Sequence, residues 1–335
     1  MQDSRGGLRR LTTLLAEQGF DLTGEQLWLD WLATLVLHTD PNAPPIYRFD
    51  ADFPVDRVAL TTLTGFPRTV EDTVSQYAVD IYRLRSESDL IIDFTGTTKT
   101  TAISKLPPSG QHFWYSGRVN GAFPKLTRTV DLTGVESATL TFSTYYRFSN
   151  AFGFGYVLVS TDGGQTWQGL VSEKMQGLAA NDDPSQLSWV DRFYTSVAPG
   201  GTWVEDSIDL TPFAGQQILI QFASDGNDQS VGWAIDNIAI PEIDWYDDGE
   251  TLDDGWDAEG WTRLTAYLPQ TFHLQLITYE AGIPVVTPIA LNPDNTGQIV
   301  IDGLAAGNDI AYLLISASAP QTTDKAAYTF TVSQP

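Results

Sequence analysis

Phe154-Gly155-Tyr156-Val157-Leu158-Val159-Ser160, running on as Ser160-Thr161-Asp162-Gly163-Gly164-Gln165-Thr166-Trp167, is the stretch whose reading decides the fold. Its first seven residues alternate aromatic and aliphatic side chains, the period of two that marks a half-buried strand. The octet that follows fits the S-x-D-x-G-x-T-W pattern of an Asp-box at Ser160, Asp162, Gly164, Thr166 and Trp167. Physically it is a self-capped turn. Asp162 accepts backbone N–H groups ahead of it, Gly163 and Gly164 supply positive φ, and Trp167 folds back as an apolar plug. The motif predicts a β-hairpin and, by itself, no activity.

Outward from this hairpin, between about Pro107 and Ile243, runs a weak internal repeat. Thr129-Val130-Asp131-Leu132-Thr133 leads into Ala138-Thr139-Leu140-Thr141-Phe142, and Ser207-Ile208-Asp209-Leu210-Thr211 leads into Gln217-Ile218-Leu219-Ile220-Gln221-Phe222. Each half reads as a strand, a polar Asp-Leu-Thr turn and an alternating strand. Two such halves facing each other predict a two-sheet sandwich of jelly-roll type, whose last strand, Gly232–Ile240, stops at Pro241. From Trp256 onward the chain is β again, with Thr271–Ile277, Gln298–Ile301, Ile310–Ser316 and Tyr328–Val332 parted by Pro, Asn, Asp and Gly turns. Strands at Ser75–Leu84 and Leu90–Phe94 are expected to complete that second sheet system.

The N-terminus reads differently. Leu8, Leu11, Leu14 and Leu15 give one helical stripe that stops at Gly19, and Thr23 with Gln26 forms a capping box opening a second helix. In that helix Leu27, Trp31 and Leu35 share one face, Trp28 and Leu32 lie beside them, and Leu29, Ala33 and Val36 fall most of the way round. A helix apolar on nearly all sides needs cover on nearly all sides. Either the β domains wrap it or it has lost a neighbour; the second is the expectation, with self-association through Trp28, Trp31, Leu32 and Leu35 as one way to cover it. The fold class expected is therefore mostly β: a helical hairpin over residues 1–40, a Pro-rich linker over 41–74, a small β-sandwich from 75–106 plus 256–335, and a jelly-roll over 107–245, inserted in or followed by that sandwich.

Composition narrows the function. A net charge of −24 argues against nucleic acid or an anionic membrane surface as partner, since both need a basic face. It suits solubility, or a surface adapted to calcium-rich, extracellular conditions. The absence of cysteine excludes disulfides, thiolate metal sites and Cys nucleophiles, and fits a bacterial protein better than a secreted animal one. Met1-Gln2-Asp3-Ser4-Arg5 leads into an amphipathic segment without an apolar core, so the chain reads as cytoplasmic or as a fragment whose targeting segment lies upstream. No apolar run approaches transmembrane length.

Ser116-Gly117-Arg118 after two aromatics, Leu126-Thr127-Arg128-Thr129-Val130-Asp131-Leu132-Thr133-Gly134, the Asp-box and Trp233-Ala234-Ile235-Asp236-Asn237-Ile238 together resemble the jelly-roll in the C-terminal half of secreted bacterial metallopeptidases of the immune inhibitor A family. Leu14 to Trp31 is similar to the final helices of a gluzincin-like catalytic domain, and residues 264–335 resemble the small β domain that closes such proteins. The resemblance implies an extracellular parent protein and a non-catalytic accessory region that docks on a metallopeptidase catalytic domain or a protein or glycan surface. Jelly-rolls of this sort hold a structural calcium, which places a metal ligand at Asp236 beside Asn237. Asp225-Gly226-Asn227-Asp228, in the loop just before, adds Asp225 and Asp228 as oxygen donors. The acidic run from Asp247 to Asp254 has the composition of a calcium loop without EF-hand spacing. The alternative for each Asp is a turn residue satisfied by local backbone.

The departure from that family lies in its chemistry. His-Glu-x-x-His, which holds the catalytic zinc, is absent; His38, His112 and His273 are scattered and none is followed by Glu. His38 reads as a helix C-terminal cap. No zinc site and no catalytic residue is recognised. Two alternatives stay open. A carbohydrate- or cell-surface-binding module would use aromatic platforms such as Tyr146, Trp189 and Trp203. A glycoside hydrolase would use Glu242 and Asp247, a near match to the E-x-D-x-x-E strand signature of jelly-roll glycosidases.

Overall fold

The computed structural model describes residues 7–49, 58–117, 123–148, 153–177, 190–226, 231–251, 255–304 and 309–335. The chain divides into two compact units, one running up to Thr100 and resuming as Leu268–Pro335, the other Thr101–Tyr267.

In the Thr101–Tyr267 unit two antiparallel sheets face each other. The first runs Gln168–Gly169, Gly153–Ser160, Gln217–Gly226, Lys125–Asp131, Asp257–Glu259. The second runs Val204–Asp209, Thr139–Arg147, Gly232–Ile240, His112–Tyr115, Thr262–Thr265, with Trp245–Asp247 added to Gly232–Ile240. Alternate residues of both, among them Val157, Ile220, Phe142 and Ile235, meet in a core centred on the fully buried Trp233. Its indole N–H donates to Thr144 Oγ1 at 2.7 Å, which satisfies the polar atom of this buried ring.

The internal repeat is visible as paired halves. Lys125–Asp131 pairs with Gln217–Gly226 in one sheet, and Thr139–Arg147 pairs with Val204–Asp209 in the other, so each half gives one strand to each sheet. The two turns match in detail. Asp131 accepts the Thr133 N–H at 3.0 Å and Asp209 that of Thr211 at 2.8 Å. The hydroxyl of the same threonine, and then its N–H, holds each carboxyl below the ordinary Asp range. Leu132 and Leu210 are both buried; the Leu132 N–H donates to the Gln216 carbonyl, and the Leu210 N–H to that of Ala138.

The strand Gly153–Ser160 is buried at every position, where alternation predicts one face in water. Val157 and Val159 point into the central core, while Phe154, Tyr156 and Leu158 meet Val190, Phe193 and Ala223 on the other side. The segment around Phe193 covers the outer face, held by two backbone hydrogen bonds between Gly155 and Tyr194, each N–H donating to the other's carbonyl at 2.8 Å.

In the other unit, Thr61–Leu63, Val79–Arg85, Ile310–Ser318, Thr271–Glu280 and Ile283–Ile289 form one sheet; Arg68–Val74, Ala326–Ser333, Leu90–Gly96 and Thr296–Ile301 form the second. Tyr82, Leu84, Leu313 and Ile315 face the second sheet, with Phe94 and Phe330 opposite. Their neighbours Ile81 and Leu314 face the other way, onto Trp28, Leu32 and Leu37. Burial on both faces explains why Ile310–Ile315 is apolar almost throughout. Thr61–Leu63 and Arg68–Val74 fall inside the stretch expected as linker, yet both are strands. Arg68–Val74 is mostly exposed, so its Glu and Asp are tolerated and the apolar signal of a strand is missing.

Helices α1 (Leu8–Glu17) and α2 (Gly24–Leu37) form the hairpin. Thr23 Oγ1 accepts the Gln26 N–H at 3.0 Å. The helices approach so closely that a Cβ on Gly24 would lie 2.4 Å from the Leu8 carbonyl oxygen. The four α2 residues expected to seek an outside partner divide into two groups. Trp28 and Leu32, one turn apart, are covered by the unit's own sheet and are unavailable for self-association. Trp31 is 47% exposed and Leu35 half-buried. Leu27 is also exposed, while Leu29 and Val36 pack in one cluster with Leu8 of α1 and with Ala43 and Tyr47 of the Pro-rich stretch. Among the described residues no helix is long and apolar enough to cross a membrane.

Candidate functional site

The strand Gly232–Ile240 loses its register between Asp236 and Ala239. Asn237 sits there at φ 51°, a left-handed conformation that Asn tolerates better than most residues. The resulting bulge turns Asp236 inward. Asp236 is 1% exposed; its Oδ1 accepts the Asn237 N–H at 2.8 Å, while its buried Oδ2 has no hydrogen-bond partner among the described residues. Burial pushes the Asp236 carboxyl up to about 7; N–H groups of Asn237 and Ser109 pull it down, and the charges of Asp248 and Glu250 push it up again.

Three segments converge on this carboxylate. Ser109 Oγ and the Tyr246 hydroxyl both donate to Asn237 Oδ1 at 2.6 Å, tying the 107–112 loop and the strand Trp245–Asp247 to the bulge. Glu250 Oε1 accepts the N–H groups of Gln111 and His112 at 2.7 Å each, and its Oε2 lies 2.7 Å from His112 Nδ1. Burial raises the Glu250 carboxyl, but these bonds outweigh it and hold the group at about 2. Asp248 Oδ1 accepts the Glu250 N–H at 3.1 Å. The cluster thus holds three carboxylates against one imidazole. Glu250 is saturated by its donors; Asp236 is the member left short.

The sequence-predicted residues meet this geometry unevenly. Asp236 and Asn237 are both in the cluster, but Asn237 acts through a carbonyl oxygen already occupied by two hydroxyls. Asp225 is buried on the opposite sheet, paired across from Phe154. Asp228 lies outside the described residues, as does Trp189. Among the described residues no three His, Asp or Glu side chains converge as a ready-made metal group. Sequence reasoning flagged the acidic run containing Asp248 and Glu250 but missed Ser109 and Tyr246; a hydroxyl far away in the chain carries no local signal.

The octet Ser160–Trp167 closes on its own side chains. Asp162 Oδ1 accepts the N–H groups of Gln165 and Thr166 at 3.0 and 2.9 Å, its Oδ2 accepts Thr166 Oγ1–H at 2.6 Å, and Ser160 Oγ donates to it at 2.8 Å. These bonds hold the carboxyl down at about 2. Trp167 Nε1–H donates to the Gly164 carbonyl at 3.1 Å, and Gly163 and Gly164 stand at φ 74° and 90°.

Of the expected aromatic platforms, Tyr146 is 2% exposed and packs in the core against Tyr194, so it offers no face to a ligand. Trp203 is half-buried, edge-on to Phe113, its indole N–H directed at the Lys105 carbonyl. The glycosidase pair is also displaced. Pro241–Ile243 is a 3-10 turn and Asp244 is left-handed at φ 52°, so Glu242 and Asp247 do not share a strand face. Glu242 accepts the Thr139 N–H; Asp247 is buried and accepts the Gly249 N–H and the Trp256 indole N–H. The histidines serve separate ends. His38 Nδ1 lies 3.2 Å from the Thr34 and Leu35 carbonyls at the end of α2, and His273 sits between Ser318 and Glu25.

The family described as Immune inhibitor A-like, MAM domain, matches this chain over residues 73–266. No curated protein matches it.

Proposed function

Because the chain belongs to the immune inhibitor A-like family through its MAM domain, we propose that it is a non-catalytic accessory region of a secreted metallopeptidase-like protein, steadied by calcium at Asp236 and docking on the catalytic domain. The observation that carries the calcium reading is the unpartnered Oδ2 of a buried carboxylate, flanked by two further carboxylates. A buried charge of this kind needs a cation or a proton. Calcium prefers six to eight oxygens, and Asp236 and Asp248 supply carboxylates while backbone carbonyls and water complete such shells. The ion would neutralise the cluster and fix the 107–112 loop against the bulge. This chain's own residues do the rest: Asn237 ties the hydroxyls of Ser109 and Tyr246, and Glu250 anchors the loop through its N–H groups.

Melting the protein in EDTA and in millimolar calcium tests the reading. Calcium at about 100 times its Kd adds roughly 2.7 kcal/mol, a shift of about 5–10 °C for a unit of this size. Asp236→Asn is expected to melt at one temperature in both buffers. Identical wild-type melting curves in the two buffers would remove calcium from the proposal. Docking is tested separately, by calorimetric titration with an immune inhibitor A-type catalytic domain; no heat of association would remove that part.

A further inference from the structure

In the unit that closes with Leu268–Pro335, two aspartates and two tyrosines meet between the sheets. Asp80 and Tyr82, two residues apart on Val79–Arg85, share the face turned to the second sheet. Asp72 and Tyr328 sit directly opposite each other on neighbouring strands of that second sheet. Their oxygens form a chain. Tyr82 Oη lies 3.0 Å from Asp72 Oδ2 and 2.7 Å from Tyr328 Oη, and Tyr328 Oη lies 2.6 Å from Asp80 Oδ2. Both phenols are 3% exposed and pack against Phe94, Phe272 and Phe330.

Three short links between oxygens need three hydrogens, one in each. Each phenol brings one, and an ionised carboxylate brings none. With Asp72 and Asp80 both charged, one link would be two lone pairs face to face. Burial above all holds both phenols far above their ordinary range, so neither gives up its proton. The third hydrogen belongs to a carboxyl, and the surroundings choose which. Asp72 is exposed and its Oδ1 accepts the Thr73 N–H at 2.8 Å, so a donor and water support its charge. Asp80 is half-buried. Burial raises its carboxyl, the Tyr328 hydroxyl lowers it, the Asp72 charge raises it again and the Lys325 charge lowers it; the net direction is up. We infer that Asp80 carries a proton and donates it to Tyr328 Oη, that Tyr328 donates to Tyr82 and Tyr82 to Asp72, and that this shared proton latches the two sheets until rising pH removes it. Such a carboxyl has the opposite linkage to one held down by donors. Its contribution is complete below the ordinary 3.8 and is lost as the pH climbs through the higher folded value. Acid tightens this junction and alkali loosens it.

A pH titration of the full chain, labelled with carbon-13 at the aspartate carboxyl carbons and followed by NMR, tests the latch; the Asp80 signal is the one lost in Asp80→Asn. Its midpoint is expected at least about one pH unit above 3.8. Tyr82→Phe leaves a single link, between Tyr328 and Asp80, and the Tyr328 hydrogen then suffices for an ionised Asp80. The midpoint should fall by about one unit, a tenfold loss of proton affinity. Asp80→Asn carries an amide N–H in place of the carboxyl proton. It should melt with the wild type below the wild-type midpoint and progressively above it as the pH rises past that point. Three results would each overturn the inference: an Asp80 midpoint less than about one unit above 3.8, a Tyr82→Phe midpoint that is not lowered, or an Asp80→Asn melting temperature that gains nothing on the wild type as the pH rises.

Discussion

Gly155→Ala places a methyl group where the fold has left no room for one. A Cβ at Gly155 would lie 2.8 Å from Trp233 Cε3 and 3.0 Å from Cζ3. Carbon atoms in contact prefer about 3.5–4.0 Å, so roughly 0.7 Å or more of overlap must be relieved. Neither side can yield easily. Trp233 is fixed by its bond to Thr144 and by Tyr194, Phe222 and Trp261, whose ring centres lie 5.3, 5.8 and 5.6 Å away. Gly155 is fixed by its two bonds to Tyr194. Overpacking of this kind is expected to destabilise by about 1–3 kcal/mol. At about 2 kcal/mol, near-ultraviolet circular dichroism should record a melting point roughly 4–8 °C lower. In a Trp233→Phe background the colliding ring atoms are gone, and the same Gly155→Ala change should cost at least about 0.5 kcal/mol less. Strict additivity of the two changes, or a Gly155→Ala protein that melts with the wild type, would refute the reasoning.

Asp162→Asn should lower the melting point at neutral pH. The folded carboxyl stands at about 2 against an ordinary 3.8, so its contribution is complete above the ordinary value and disappears as the pH falls through about 2; the gap to wild type, followed by melts from pH 6 downward, should close over that window. Leu210→Ala, at a side chain with no exposure, should destabilise by about 2–5 kcal/mol, and Leu132→Ala by a similar amount, as read by urea denaturation. On α2, Trp28→Ala should cost about 3–5 kcal/mol while Trp31→Ala, one turn-face away and half exposed, stays within about 0.5 kcal/mol; equal losses in thermal melts would contradict the placement of the helix.

What was legible in the chain was what local spacing encodes. The octet from Ser160 to Trp167 closes through contacts no more than four residues apart, and both Asp-Leu-Thr turns use an Asp bonded two residues ahead. The capping box at Thr23 is equally local. Where distant segments decide, pattern failed. Tyr146 reads as a platform because alternation cannot say which aromatic face is covered; the answer comes from Tyr194. Trp28 and Trp31 are neighbours in any apolar count, yet only one meets the sheet. The Asp236 cluster depends on Ser109 and Glu250, which reach it only because the strands His112–Tyr115 and Gly232–Ile240 pair.

The hairpin turn at Gly163-Gly164 divides the Thr101–Tyr267 unit into two complementary fragments. Among the described residues, every ladder between strands in this unit joins one fragment to the other, with the single exception of Trp245–Asp247 on Gly232–Ile240. Neither fragment therefore possesses a sheet of its own. During synthesis the first four strands must wait, edges open, until their partners emerge, which makes this a slow folder exposed to aggregation on the way. A protease nick at the turn should leave a two-piece protein that stays assembled until denatured.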